Sequence, residues 1–138
     1  MSTRPRVLEF GVSLDRDWTA RSDRGGSEIA REEAWTPEHL LLAGLGRCTL
    51  QSLEFHARRA AIEIMASVKA HGTVARREED GRFAFVAIDV AMDVSFSPAP
   101  AAEVVRELVA KAERDCFVGA SLRAAPAYTW KVNGEELR

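Results

Sequence analysis

Residues 36–49 read Thr36-Pro37-Glu38-His39-Leu40-Leu41-Leu42-Ala43-Gly44-Leu45-Gly46-Arg47-Cys48-Thr49. Threonine caps a helix, proline suits its first position, and a first-turn glutamate meets the positive end of the dipole, so a helix starts here. From Leu40 to Leu45 nearly every residue is apolar, and charge returns only with Arg47, Glu54 and Arg58. A helix that is apolar on almost all sides at its start is expected to be buried there. In so short a chain this predicts a central helix wrapped by sheet or by a second subunit.

Upstream of this helix, Leu8, Phe10, Val12 and Leu14 alternate with Glu9, Gly11 and Ser13, the period of a half-buried strand. Asp15-Arg16-Asp17 breaks the pattern, Trp18 to Ser22 returns as a second strand, and Asp23-Arg24-Gly25-Gly26 turns the chain. Ser27 to Ala34 reads equally as a short strand or a loop. Downstream, Val68, Ala70, Gly72 and Val74 mark a strand, and Glu78-Glu79-Asp80-Gly81 the turn of a hairpin. In the next strand Phe83 and Phe85 hold one phase, while Ile88, Val90, Met92, Val94 and Phe96 hold the other. A β-bulge near Val86-Ala87 produces such a shift. Pro98 and Pro100 end the strand, and a helical stripe runs from Ala101 through Val105 and Leu108 to Ala112. Asp115 is placed to cap a short helix beginning at Cys116. Tyr128, Trp130 and Val132 form a last strand, and Asn133-Gly134 turns the tail. Strands, a long helix, a hairpin, then helices and a strand indicate an α+β fold, not a doubly wound parallel sheet.

The length of 138 residues fits one domain, 1–138, and a hydrophobic fraction of 46% supplies a core. The 19 Lys and Arg are scattered among 21 Asp and Glu, for a net charge of -2. Neither nucleic acid nor an anionic membrane is therefore expected as a partner. No apolar run reaches transmembrane length, and the first nine residues lack the apolar run of a signal peptide, so a cytoplasmic location is expected. Two cysteines in that compartment are more often free thiols or a redox pair than a structural staple.

A buried cysteine is ordinarily a small core hydrophobe, which is the bland reading of Cys48. Cys116, if Asp115 caps its helix, sits in a first turn where the dipole favours a thiolate, although the Asp115 carboxylate opposes this. His56 follows Cys48 by eight helical positions, about 12 Å along the axis, too far for a direct base on a straight helix. His39 and His71 lack partners at ligand spacing, so no zinc site is expected, and all three histidines read as surface or cap residues. No Walker loop, GxGxxG, GxSxG or CxxC is present, so no cofactor is expected.

The 36–49 segment closely resembles the TPEELLLAALGSCT segment of OsmC/Ohr-like proteins, with the glutamate ten residues before the cysteine in both. Ala112-Glu113-Arg114-Asp115-Cys116-Phe117-Val118-Gly119-Ala120-Ser121-Leu122 resembles that family's second cysteine motif, and the elements between them fall in the family's order. The resemblance implies an intertwined homodimer, with cysteine-bearing helices packed centrally against curved antiparallel sheets. It also implies peroxide chemistry. The Cys48 thiolate would attack the O–O bond of an organic hydroperoxide, releasing alcohol and leaving a sulfenic acid. Cys116 would condense with it to a disulfide, which an external dithiol, lipoyl or thioredoxin-like, reduces.

In the family an N-terminal arginine, oriented by the glutamate of the TPE motif, favours the thiolate. Glu38 matches that glutamate. Arg16 of Arg16-Asp17 resembles the arginine of the Ohr branch, whereas the OsmC branch favours Arg24 or Arg31. Two positions depart from the pattern: Arg47 stands where a small residue is usual, and Phe117 replaces the proline after the second cysteine. A peroxidase preferring apolar hydroperoxides, with Phe55 and Phe117 near the thiols, is the first expectation. A non-catalytic binder of apolar ligands and a thiol redox sensor are the alternatives.

Overall fold

The computed structural model describes residues 6–137, and the chain divides into two compact units, Met1–Thr36 and Pro37–Arg138. In the first, β1 (Val12–Leu14) and β2 (Ala20–Ser22) pair antiparallel around the Arg16-Asp17 turn. The strand expected from Leu8 begins only at Val12. Alternation makes a strand only where a neighbour takes up the backbone bonds, and here the ladder stops at Val12; the expected half-burial is not found either, since Leu8, Phe10, Val12 and Leu14 are all exposed. Ser27 to Ala34 is a loop, apart from a single bridge between Ile29 and Ala20.

The second unit contains α1 (Pro37–Arg59), β3 (Glu63–Arg76), β4 (Phe83–Ser97), α2 (Ala102–Arg114), α3 (Phe117–Ala120), β5 (Ala127–Val132) and β6 (Glu135–Glu136). Its sheet has the order β3-β4-β5-β6. The expected bulge is present: Thr73 pairs with Ala87 and Val74 with Phe85, leaving Val86 over. Past it, Ile88, Val90, Met92, Val94 and Phe96 all turn to one buried face. β3–β4 and β5–β6 are antiparallel, as the resemblance implies, but β5 joins β4 in parallel, with Asp89 opposite Ala127. A parallel neighbour requires a crossover, and α2 with α3 supplies it.

The helix α1 packs on β3, α2 and α3, and its buried residues are Leu45, Gly46, Thr49, Leu53 and Ala57. Within the single chain the burial of α1 begins at Leu45 and Gly46, while Leu40, Ala43 and Gly44 are exposed and Leu41 and Leu42 half-buried, so of the two covers expected for the helix's start the sheet does not supply a full one. Against β3 the helix comes close: a Cβ on Gly46 would lie 3.1 Å from Val68. A Cβ on Gly72 would overlap the Phe85 ring and lie 3.3 Å from Leu42, so an alanine there forces the strand or the ring to move. Gly72→Ala is expected to cost about 2 kcal/mol by overpacking. Urea unfolding checks it, and combining it with Phe85→Leu should return part of the loss.

Candidate functional site

Cys48 and Thr49 lie midway along α1, and the crossover brings Cys116 to them from 68 positions away. Thr49 and Cys116 are completely buried, whereas Cys48 is half-buried. Both cysteines are free thiols. Burial pushes the Cys48 thiol up from its ordinary range, and the Cys116 thiol beside it adds to that; the backbone N–H groups of Val118 and Phe117 oppose the rise. The first turn of α3 thus supplies the donors that favour a Cys48 thiolate.

Cys116 is itself the N-cap of α3, with extended backbone angles (φ -78°, ψ 107°), and its Sγ accepts the Gly119 N–H at 3.4 Å. This corrects the expectation that Asp115 caps the helix. Asp115 instead closes α2, its N–H still bonding to the Lys111 carbonyl while its backbone (φ -95°, ψ 13°) leaves the helical region. Its carboxylate turns back to His56 Nε2 at 2.7 Å and to Arg114.

Thr49 Oγ1 stands at the centre of a small polar network. It reaches the Leu45 carbonyl at 3.1 Å, Cys116 Sγ at 3.5 Å and the Tyr128 hydroxyl at 3.0 Å. Burial, joined by the nearby Cys116 and Glu113 side chains, pushes the Tyr128 hydroxyl up to about 12 against the opposing hydrogen bond with Thr49. Neither Thr49 nor Tyr128 stands out in the sequence as more than core and strand. Ser52, one helical turn beyond Cys48, has a buried hydroxyl with no hydrogen-bond partner.

The expectation of a surface or cap role fails for His56, whose side chain is only 12% exposed and is bound to Asp115. No local signal reveals a partner 59 positions away. His56 also lines a cleft of about 260 Å³ between α1 and α2, with Arg59, Val104, Leu108 and Lys111, which neither cysteine borders. Arg114, and more weakly His56, hold the Asp115 carboxyl at about 2 against the opposing effect of burial. Arg77 and the Arg82 N–H do the same for Asp80. Carboxyls depressed in the folded state contribute stability that is present above their unfolded value, 3.8, and is lost as pH falls toward about 2. Asp80→Asn/Asp115→Asn is therefore expected to flatten the acid limb of stability between pH 4 and 2, read by denaturant midpoints across that range.

The remaining expected residues are spread over both units. Glu38 is exposed in the first turn of α1. Arg16 is exposed in the β1–β2 turn, while Arg24 lies 5.0 Å over the Phe10 ring and Arg31 3.6 Å over Trp18. Phe117 is exposed beside Cys116, and Phe55 is exposed on α1 with its ring edge against His56. Arg47, His39 and His71 are exposed. Among the described residues, no three His, Cys, Asp or Glu side chains group to hold a metal ion, and no helix is long and apolar enough to cross a membrane.

A family model described as OsmC-like protein matches residues 30–131. No curated protein sequence matches the chain. Among solved structures, an OsmC-like protein of unknown function from Vibrio cholerae superposes with a TM-score of 0.74 at 16% identity, covering 90% of this chain and 99% of that one. An OsmC-like protein from Mycoplasma pneumoniae gives 0.68 at 19% identity, with 94% and 98% covered. The organic hydroperoxide resistance protein OhrB of Bacillus subtilis gives 0.57 at 23% identity, with 93% and 98% covered. At these identities the likeness is one of fold.

Proposed function

Since the chain belongs to the OsmC-like protein family, we propose that it is a thiol-dependent peroxidase that reduces apolar organic hydroperoxides. The observation that carries this reading is the juxtaposition of two free thiols from separate elements, one half-exposed and one buried. In the proposed cycle Cys48 Sγ, as thiolate, attacks the distal peroxide oxygen. The O–O bond breaks, the alkoxide takes a proton and leaves as alcohol, and Cys48 holds the sulfenic acid. Cys116 then displaces the sulfenic hydroxyl as water and forms the Cys48–Cys116 disulfide, which an external dithiol of lipoyl or thioredoxin type reduces.

The amides of Phe117 and Val118 support the thiolate, and exposed Phe117 offers apolar surface for the substrate. Glu38 is proposed to orient an activating arginine, with Arg16 the first choice. A homodimer is proposed to cover the exposed start of α1, where Leu40 lies open, and the outer edge of β3, which pairs with no strand among the described residues.

The test is single-turnover loss of free thiol on mixing the reduced protein with cumene hydroperoxide and, separately, hydrogen peroxide. Fast loss of both thiols with the organic peroxide supports the enzyme; loss no faster than for an ordinary exposed thiol rejects it. Arg16→Ala is expected to slow the first step about a hundredfold, the scale of removing one charge that favours the reacting anion. Arg24→Ala and Arg31→Ala should change that step little, and a hundredfold loss in either would move the assignment there.

A further inference from the structure

Resting on the reading of Cys48 and Cys116 as the redox pair, we infer that their disulfide is polarised: the external thiol attacks the Cys48 sulfur, and Cys116 departs as thiolate into the hydrogen bonds of Thr49 and Gly119. Two independent observations carry this, access and proton placement.

Access favours Cys48. A thiolate must approach the attacked sulfur along the S–S axis, and that sulfur must be reachable. Cys116 is completely buried among Thr49, Leu45 and the α3 turn, while Cys48 is half-exposed. The amides of Phe117 and Val118 would favour Cys48 as the departing thiolate, but its departure requires the reductant to reach a sulfur with no exposed surface. Access therefore decides between them.

Proton placement makes Cys116 a prepared leaving group. The Tyr128 hydroxyl keeps its proton across the ordinary pH range and lies 3.0 Å from Thr49 Oγ1; either oxygen can be the donor, and in the arrangement that serves Cys116 it is Tyr128. The single Thr49 proton then has two possible acceptors, the Leu45 carbonyl at 3.1 Å and Cys116 Sγ at 3.5 Å. A neutral sulfur is the weaker acceptor, so with the disulfide formed the proton goes to the carbonyl. When the S–S bond breaks, the electron pair remains on Cys116, and rotation of one hydroxyl turns the Thr49 proton onto the new anion. The Gly119 N–H already points there at 3.4 Å. The reductant's sulfur is now bonded to Cys48; its second thiol attacks this mixed disulfide, releasing the Cys48 thiolate and an oxidised, cyclic reductant. Two electrons pass from the dithiol to the protein, and no further oxidant is needed. Thr49 touches a reacting atom, and Tyr128 acts through it as a positioning residue.

The experiment forms the disulfide in the full-length protein with diamide, so that it does not depend on peroxide chemistry. The oxidised protein is mixed with glutathione, quenched rapidly in acid, labelled with N-ethylmaleimide and mapped by peptide mass spectrometry. The expected result is glutathione on Cys48 and maleimide on Cys116. Glutathione on Cys116 overturns the inference, and so does failure of diamide to link the pair. A disulfide that forms with diamide but not with cumene hydroperoxide would sink the peroxidase and leave the polarity standing. Thr49→Val is expected to slow the glutathione step about tenfold, the loss of one charge-assisted hydrogen bond. Thr49→Ser should restore it, and Tyr128→Phe should slow it by a smaller factor. An unchanged rate in Thr49→Val, with the fold intact by circular dichroism, would remove Thr49 from the step.

Discussion

Cys48→Ser is expected to reduce peroxide-driven loss of thiol by about a thousandfold or more, leaving Cys116 unmodified by stoichiometric cumene hydroperoxide. The scale follows from removing a nucleophile outright: what remains is the uncatalysed background. Cys116 does not substitute for it, because its sulfur has no exposed surface for a hydroperoxide to meet. The companion variant Cys116→Ser should consume one equivalent of peroxide and stop at the sulfenic acid, trapped by dimedone. Rapid thiol loss in Cys48→Ser would transfer the peroxide step to Cys116 and end the present assignment.

Leu45→Ala is expected to destabilise the second unit by about 3 kcal/mol, within the range for a leucine cut to alanine in a closed core. Leu45 is completely buried, and its side chain packs by Gly119 while its carbonyl accepts the Thr49 hydroxyl. The cavity would therefore open beneath the Cys116 turn as well as inside the core. A lower denaturant midpoint is one readout. The second is faster alkylation of Cys116 under native conditions, at a rate set by local opening of α3. A loss below about 1 kcal/mol would mean that the site collapses onto the missing side chain.

The parts of this fold that the sequence discloses are those decided by neighbours along the chain. Thr36-Pro37-Glu38 announces α1 because capping is a matter of a few adjacent residues. The phase change between Phe85 and Ile88 announces the Val86 bulge because side-chain alternation in a strand has a strict period of two. Alternation from Leu8 misleads at its start, since period alone does not supply a partner strand. The parallel seam between β4 and β5 is hidden for a related reason: which strand lies beside which is settled by the crossover's packing, not by either strand's pattern.

At the candidate site the same division holds. Cys48 and Cys116 each stand out as residues, and the motif resemblance orders them, but their meeting depends on α1 and α3 packing together. Thr49, Tyr128 and His56 carry no local signal of their roles, because each acquires its meaning from a group 59 or more positions away. The boundary at Asp115 lies one residue from where local capping preference puts it, for Asp115 closes α2 and Cys116 opens α3. The shift matters, since it makes a sulfur the cap and frees a carboxylate for His56.

That cap has a bearing on how such chains diverge. Serine is among the best N-cap residues, and its oxygen would take the Gly119 N–H that the Cys116 sulfur now holds. A lineage that exchanged cysteine for serine at 116 would lose the disulfide while keeping α3 closed, the crossover in place and the core unbroken. Selection for folding is blind to that exchange, so the architecture can outlive the chemistry, and descent of the shape is a separate inheritance from descent of the reaction.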